Sequence, residues 1–188
     1  MKYIESEDFI NQNYTEKKLP QAEYDNCYFK NCDFSNSDLS HSSFLECKFE
    51  NCNLSNVNFN QTALKDVQFS KSKIFGVDFG ICNTFLLAIH FSESQLNFCS
   101  FYQLDLKNSG FEECELQEAD FTGSNLSGIS FHECNLQQAQ FENSNLESTD
   151  FRTAIHYSID LDQNQIRNAK FSQDGLIGLL NKYDIVIE

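Results

Sequence analysis

Cysteine, histidine and carboxylate side chains are the groups in this chain of 188 residues that could do chemistry. The eight cysteines are Cys27, Cys32, Cys47, Cys52, Cys82, Cys99, Cys114 and Cys134. Cys27 and Cys47 are twenty residues apart, as are Cys32 and Cys52, and Cys114 and Cys134. Thiols repeating in this way could pair as disulfides or gather around zinc, but no C-x-x-C occurs and the histidines, His41, His90, His132 and His156, are scattered. No nucleophile, base and orienting group converge in any segment, and no glycine-rich phosphate loop appears. The expectation is a protein that is not an enzyme and that uses no metal and no cofactor.

Acidity is the remaining chemistry. Lys and Arg number 13 against 28 Asp and Glu, a formal net charge of -15. Between Lys107 and Arg152 there is no basic residue, while Glu112, Glu113, Glu115, Glu118, Asp120, Glu133, Glu142, Glu147 and Asp150 all fall there. Such a balance argues against direct binding to nucleic acid or to an anionic membrane surface, because phosphate contacts need Lys and Arg. Basic protein surfaces remain as partners. The start, M-K-Y-I-E-S-E-D-F, has no apolar signal region and no long apolar run occurs, so a cytoplasmic protein is expected.

The elements that must position these groups follow from a period of five. Large apolar residues recur at Tyr24, Phe29, Phe34, Leu39, Phe44, Phe49, Leu54, Phe59, Leu64, Phe69, Ile74 and Phe79. The beat slips by two near residues 80–86 and resumes at Leu86, Phe91, Leu96, Phe101 and onward to Phe151, with Leu161, Ile166 and Phe171 closing it after His156. Neither a helix of period 3.6 nor a flat strand of period 2 gives this pattern. Two places before each large residue stands a small one, and the other three positions are mostly polar. A chain turning a corner every five residues closes a square coil in about twenty, and successive coils stack at ~4.8 Å. All eight cysteines occupy the small inward position. Stacked side chains at that spacing are too far apart for disulfides, so the thiols are expected to be core filler. From Phe91 to Phe151 the large residue alternates Phe and Leu, which puts Phe on two opposite walls and Leu on the other two.

Off the beat, Phe75, Phe98 and Tyr102 point outward near the slip, with Phe85 and Leu87 close in sequence. If clustered, they make an apolar partner patch. Residues 1–21 keep only a weak beat at Phe9, Tyr14 and Leu19 and are expected to cap the N-terminal end. Residues 172–188 leave the repeat: Ser172 suits a helix N-cap, and Ile185–Ile187 read as a strand. Leu176, Ile177, Leu179, Leu180, Tyr183, Ile185 and Ile187 offer more apolar surface than so short a tail buries alone, which points to a two-fold dimer through it.

Units such as S-D-L-S-H, C-N-L-S-N, A-D-F-T-G and S-N-L-S-G resemble the pentapeptide-repeat family over residues 22–171. The resemblance implies an all-β fold, a right-handed quadrilateral parallel β-helix, here with a short C-terminal helix. Within the family, N-Y-T-E-K-K-L, C-Y-F-K-N-C-D-F-S-N-S-D-L-S, F-L-E-C-K-F and F-E-E-C-E-L look like the quinolone-resistance (Qnr) proteins. That likeness implies a dimeric acidic rod that binds DNA gyrase or topoisomerase IV as a DNA mimic and protects it from fluoroquinolones, with the acids named above as its surface. Loops that project from the coils of many Qnr proteins have no counterpart here beyond the two-residue slip. The alternative reading is a scaffold that binds another partner through the patch around Phe75 and Phe98.

Overall fold

The computed structural model describes residues 2–183 and 185–186. It is a four-sided parallel β-helix, and nearly every backbone pairing joins a residue to the one a full coil away. The first wall opens as four strands, Lys2–Glu5, Ala22–Asp25, Ser43–Leu45 and Ala63–Lys65. The second is a seven-stranded parallel sheet, Asp8–Ile10, Tyr28–Lys30, Lys48–Glu50, Val67–Ser70, Ile89–Ser92, Gly110–Glu112 and Phe131–His132. The third and fourth walls are held by single bridges such as Asn53↔Lys73 and Asp38↔Asn58. No described helix is long and apolar enough to cross a membrane.

Corners explain why five residues suffice per wall. Two places after most large core residues the backbone takes positive φ: Asn26, Asn31, Asn36, His41, Glu46, Asn51 and Asn56 lie between 49° and 60°. Asn enters this left-handed region at lower cost than other L-residues, which accounts for its frequency there. On the walls without strands, the residue before the core position is often Asp or Asn, whose side-chain oxygen accepts the N–H two residues on. Asp33 serves Ser35 at 2.9 Å and Asp120 serves Thr122 at 2.8 Å. Many carboxylates therefore shape turns as well as carrying charge.

The core is a set of vertical ladders. On the second wall Phe9, Phe29, Phe49, Phe69, Phe91, Phe111, Phe131, Phe151 and Phe171 stack with centroids 4.6 to 5.4 Å apart. Phe59, Phe79, Phe101, Phe121 and Phe141 stack likewise on the fourth wall, 4.9 to 5.7 Å apart. Rings of adjacent walls meet edge to face, as Phe111 meets Phe121 at 5.6 Å and 89°, the geometry aromatic quadrupoles favour. Phe on opposite walls, with Leu106, Leu126, Leu146 and Leu96, Leu116, Leu136 between them, fills the narrow interior.

The small inward position has a second task. Thr62 and Thr149 hydroxyls donate to the carbonyls of Leu39 and Leu126, and Ser144 donates to that of Phe121. The thiols of Cys27, Cys47 and Cys52 make the equivalent contact with Ile4, Tyr24 and Phe29. Cys, Ser and Thr recur there because each is small enough for the inward position, and several also donate to a carbonyl of the preceding coil. The hydroxyls of Ser37, Ser42 and Ser124, by contrast, find no partner among the described residues.

The slip lies slightly later than the beat suggests. Partners are twenty apart at Ala63↔Asn83, twenty-two apart at Val67↔Ile89, Lys73↔Gln95 and Asp78↔Ser100, and twenty apart again at His90↔Gly110. The extra residues fall between Asn83 and Ile89. Leu86, expected inward, is instead a 65% exposed corner with φ 58°, and Leu87 is the buried residue. At the far end His156 is likewise an exposed corner at φ 59°, and Tyr157 takes the inward slot.

Residues 2–21 form a full coil rather than a separate cap, registered twenty residues from the next at Lys2↔Ala22, Asp8↔Tyr28, Asn13↔Asp33 and Lys18↔Asp38. Lys2, Glu7, Gln12 and Lys17 stand where later coils place small residues, and all are exposed. No described coil lies against them on that side and they reach water, with charge at Lys2, Glu7 and Lys17 disfavouring strand pairing there.

The tail is two short 3-10 helices, Asp174–Leu179 and Asn181–Tyr183, folded back over the last coil. The Gly175 N–H donates to the Ser172 hydroxyl at 3.1 Å, and Ile159 N–H donates to the Gly178 carbonyl at 3.0 Å. Gly175 and Gly178 lie so close to Tyr157 that side chains there would overlap it. Lys182 pairs with Asp160 and Asp162. Ile185 and Val186 form no strand, and Ile187 lies outside the described residues.

Candidate functional site: surfaces of an acidic rod

Among the described residues no cluster of His, Cys, Asp and Glu could hold a metal ion, and the candidate sites are surfaces. All eight cysteines are free and buried. Burial pushes the Cys47, Cys52 and Cys99 thiols up to about 12, which suppresses the thiolate a nucleophile or metal ligand needs. Cys134 is raised as well, by its interaction with the neighbouring Cys114 thiol and by burial.

The acids between Lys107 and Arg152 wrap the rod. Glu147 lies on the first wall, Glu112 and Asp150 on the second, Glu115 on the third, and Asp120 and Glu142 on the fourth. Glu113 and Glu133 hold the corner between the second and third walls, and Glu118 that between the third and fourth. Along a ladder an acid is usually followed by an amide or hydroxyl. Asp38 is followed by Asn58, Asp78 by Ser100, Asp105 by Asn125 and Glu115 by Asn135. The amides of Asn58, Asn125 and Asn135 donate to the carboxylates below them at 3.1, 2.9 and 2.8 Å. This spacing separates like charges on those ladders, where repulsion at ~4.8 Å would oppose folding. Elsewhere Glu93, Glu113 and Glu133 do follow one another at successive corners, and Glu5 lies opposite Asp25.

Several acids carry intramolecular counterions. Lys18 pairs with Asp38, Lys30 with Glu50, Lys71 with Glu93, and Arg152 with Asp150. The two hydrogen-bonding arms of Arg152 hold the Asp150 carboxyl down at about 2. Asp78, Glu115, Glu118 and Asp120 make no ion pair with another described residue.

The outward aromatics divide into two groups. Phe75 and Phe98 meet on the third wall with ring centroids 4.9 Å apart and planes tilted by 55°. Tyr102 follows on the fourth wall of the same coil as Phe98, 47% exposed, with its hydroxyl accepting from the Gln103 amide. Phe85 lies on the first wall, opposite Phe75, with Lys65 over its ring at 5.6 Å. Leu87 is in the core and belongs to no surface patch. Ten residues at five per wall already place Phe75 and Phe85 on opposite walls, since the insertion follows Phe85. What spacing could not show is that Phe98, beyond the insertion, meets Phe75.

In the tail, Leu179 is buried and Leu180 half-buried against the last coil. Leu176, Ile177, Tyr183 and Ile185 stay exposed, as does Ile155 on the third wall, which lines the same groove as Ile177. Ile155 was not singled out in the sequence, although an isoleucine in an otherwise polar outward position was the available signal.

Comparison with known proteins accords with this architecture. A family model described as a pentapeptide repeat region matches residues 22–97 and 94–171. No curated protein matches the chain. Among solved structures it is similar to a trypsin-treated form of QnrB1, a plasmid-mediated fluoroquinolone resistance protein, at 17% identity and a TM-score of 0.58 over 99% of this chain and 100% of that one. It is also similar to HetL from the cyanobacterium Nostoc sp. strain PCC 7120, a protein involved in heterocyst differentiation regulation. There the identity is 14% and the TM-score 0.60, over 93% of this chain and 88% of that one. At these identities the likeness is one of fold.

Proposed function

From the premise that the chain belongs to the pentapeptide-repeat family, we propose that it is a non-catalytic acidic rod that binds DNA gyrase or topoisomerase IV in place of DNA. The observation that carries the proposal is the charge wound around all four walls of a rigid rod. Eight steps of ~4.8 Å separate Phe9 from Phe171, a length of about 38 Å. Duplex DNA of that length carries roughly 22 phosphate charges, one per ~1.7 Å. A net charge of -15 is of the same order. Because the carboxylates are fixed on ladders, a basic groove shaped for a duplex meets them without first ordering a flexible chain.

The exposed apolar residues of the tail support a two-fold dimer, which would double the length of the charged rod. The fold shared with QnrB1 makes protection from fluoroquinolones the natural consequence to examine, and a cytoplasmic setting goes with such a target. Fold alone does not decide the role, since HetL shares it. The test is a gyrase supercoiling assay with the purified protein, with and without a fluoroquinolone. The expected result is inhibition of supercoiling by excess protein and relief of drug inhibition at lower concentration. No change in either would overturn the proposal. Light scattering on a chain ending at Phe171 should show half the mass of the intact protein; equal masses would remove the dimer.

A further inference from the structure

We propose that the Phe75–Phe98 pair, with the carboxylates beside it, is a docking point for an arginine-bearing segment of a partner protein. The inference does not depend on a topoisomerase being that partner. Four observations support it.

The first is backbone conformation. Phe98 occupies a corner at φ 62°, a region where a bulky side chain is an outlier. Other third-wall corners are Glu16, Asn36, Asn56, Gly76, Glu118 and Gln138. An aromatic ring at this corner is unfavourable for the backbone, and it is 47% exposed, so the core gains little from it.

The second is that the rings stay open to solvent, Phe75 at 36% and Phe98 at 47% exposure. The corner one coil below Phe98 is Gly76, which has no side chain to lay over it, and Gly80 stands in the same relation to Tyr102. Asn97, directly above Phe75, is tied to its own wall by accepting the Gln117 N–H at 3.1 Å.

Third, the carboxylates around the pair lack counterions. Glu118 is the next corner beyond Phe98, Glu115 follows Gln95 on the third wall, and Asp78 and Asp120 flank Ser100 on the fourth. All four are free of ion pairs with described residues, whereas Asp38, Glu50, Glu93 and Asp150 have them. Fourth, the rings already attract cations: Lys73 sits 5.9 Å from the Phe75 centroid.

Exposed aromatic rings beside unpaired carboxylates favour one side chain above others. A guanidinium stacks its plane on a ring while its N–H fork reaches a carboxylate; an ammonium does only one of these well. A second copy of this chain is a poorer occupant, because its only arginines are Arg152, which is held by Asp150, and Arg167.

The experiment uses the intact protein and two labelled hexapeptides of equal charge, one alternating arginine with glycine and the other lysine with glycine. Their binding is followed by fluorescence anisotropy at near-physiological salt. The arginine peptide should bind roughly fivefold tighter. Phe98→Asn should bring that ratio to about one while leaving the lysine peptide unchanged. Asn suits the left-handed corner, so this variant keeps its fold, and an unchanged thermal midpoint verifies it. Phe85→Ser, on the opposite wall, should leave the preference intact. Equal binding of the two peptides by the native protein, or a preference that survives Phe75→Ser combined with Phe98→Asn, would overturn the proposal. So would a concentration-dependent rise in mass without peptide that Phe98→Asn abolishes, which would assign the surface to a second copy.

Discussion

Substituting Gly178→Ala should lift the tail from the end of the rod. A Cβ at Gly178 would lie 2.2 Å from the Tyr157 carbonyl oxygen and 2.9 Å from a carbon of its ring. Tyr157 cannot retreat, because it packs between Phe151 and Phe171 at 5.6 and 5.8 Å. The tail must therefore move by about an ångström or more to restore ordinary van der Waals contact. Movement of that size breaks the hydrogen bond from Ile159 N–H to the Gly178 carbonyl, worth about 1 kcal/mol. It also uncovers Leu179, whose burial contributes about 1.5–3 kcal/mol. Together these lower the free energy holding the tail by about 2.5–4 kcal/mol. The Ile159 amide reports the change directly, since its only described backbone acceptor is the tail. Its hydrogen-exchange protection should fall by about a hundred- to a thousandfold. Exchange at core amides such as Phe111 should stay unchanged. Gly128→Ala is the control: it introduces a side chain at φ 77° where nothing lies within 4 Å, so it adds backbone strain without touching the tail. If Ile159 remains as protected in Gly178→Ala as in the native protein, the view that the two tail glycines exist to admit Tyr157 is wrong.

Three further outcomes are expected. Phe111→Ala should destabilise the rod by about 3–5 kcal/mol in urea unfolding, because its ring is stacked on both sides at 5.4 Å and an interior coil cannot collapse around the void. Asp150 titrates near 2 when folded, below its ordinary value, so its contribution to stability is present above about pH 4 and is lost as pH falls toward 2; Arg152→Ala should return its carboxyl shift titration, followed by NMR, toward the normal range. The cysteines should stay silent to Ellman's reagent at pH 8 while the protein is folded and react fully in denaturant, since they are buried and Cys47, Cys52 and Cys99 are pushed up to about 12.

Much of the architecture was legible because a period of five fits no other local structure, and the Phe ladders follow directly from it. The errors arose where two adjacent residues could both serve the beat. Leu86 and Leu87 are equally apolar, so hydropathy cannot tell which is inward; the register of Ala63 with Asn83 and of Val67 with Ile89 decides it. His156 and Tyr157 pose the same problem, and there the larger apolar ring takes the core. Residues 2–21 looked foreign to the repeat because Lys2, Glu7, Gln12 and Lys17 replace small residues, yet no described coil packs against those positions to exclude them. For the surfaces, the spacing assigned Glu112 through Asp150 to outward positions. The unbroken beat from Phe91 to Phe151 also distributes these acids around the rod, and spacing sets Phe85 two walls from Phe75. It could not show that Phe75 meets Phe98. That contact depends on which wall Phe98 joins after a two-residue insertion.

The left-handed corners carry one more consequence. Residues such as Gln61, Leu86, Phe98, Glu118 and Ser148 hold a conformation that Asn or Gly would adopt with less strain. Their side chains leave the rod at its edges, the first points a flat or concave neighbour would touch. Stability and surface identity thus draw on the same positions, and a variant optimised for heat resistance at its corners would lose the features by which one such rod is distinguished from another. Divergence between rods with this backbone should concentrate at those edges, while the rungs inside remain interchangeable.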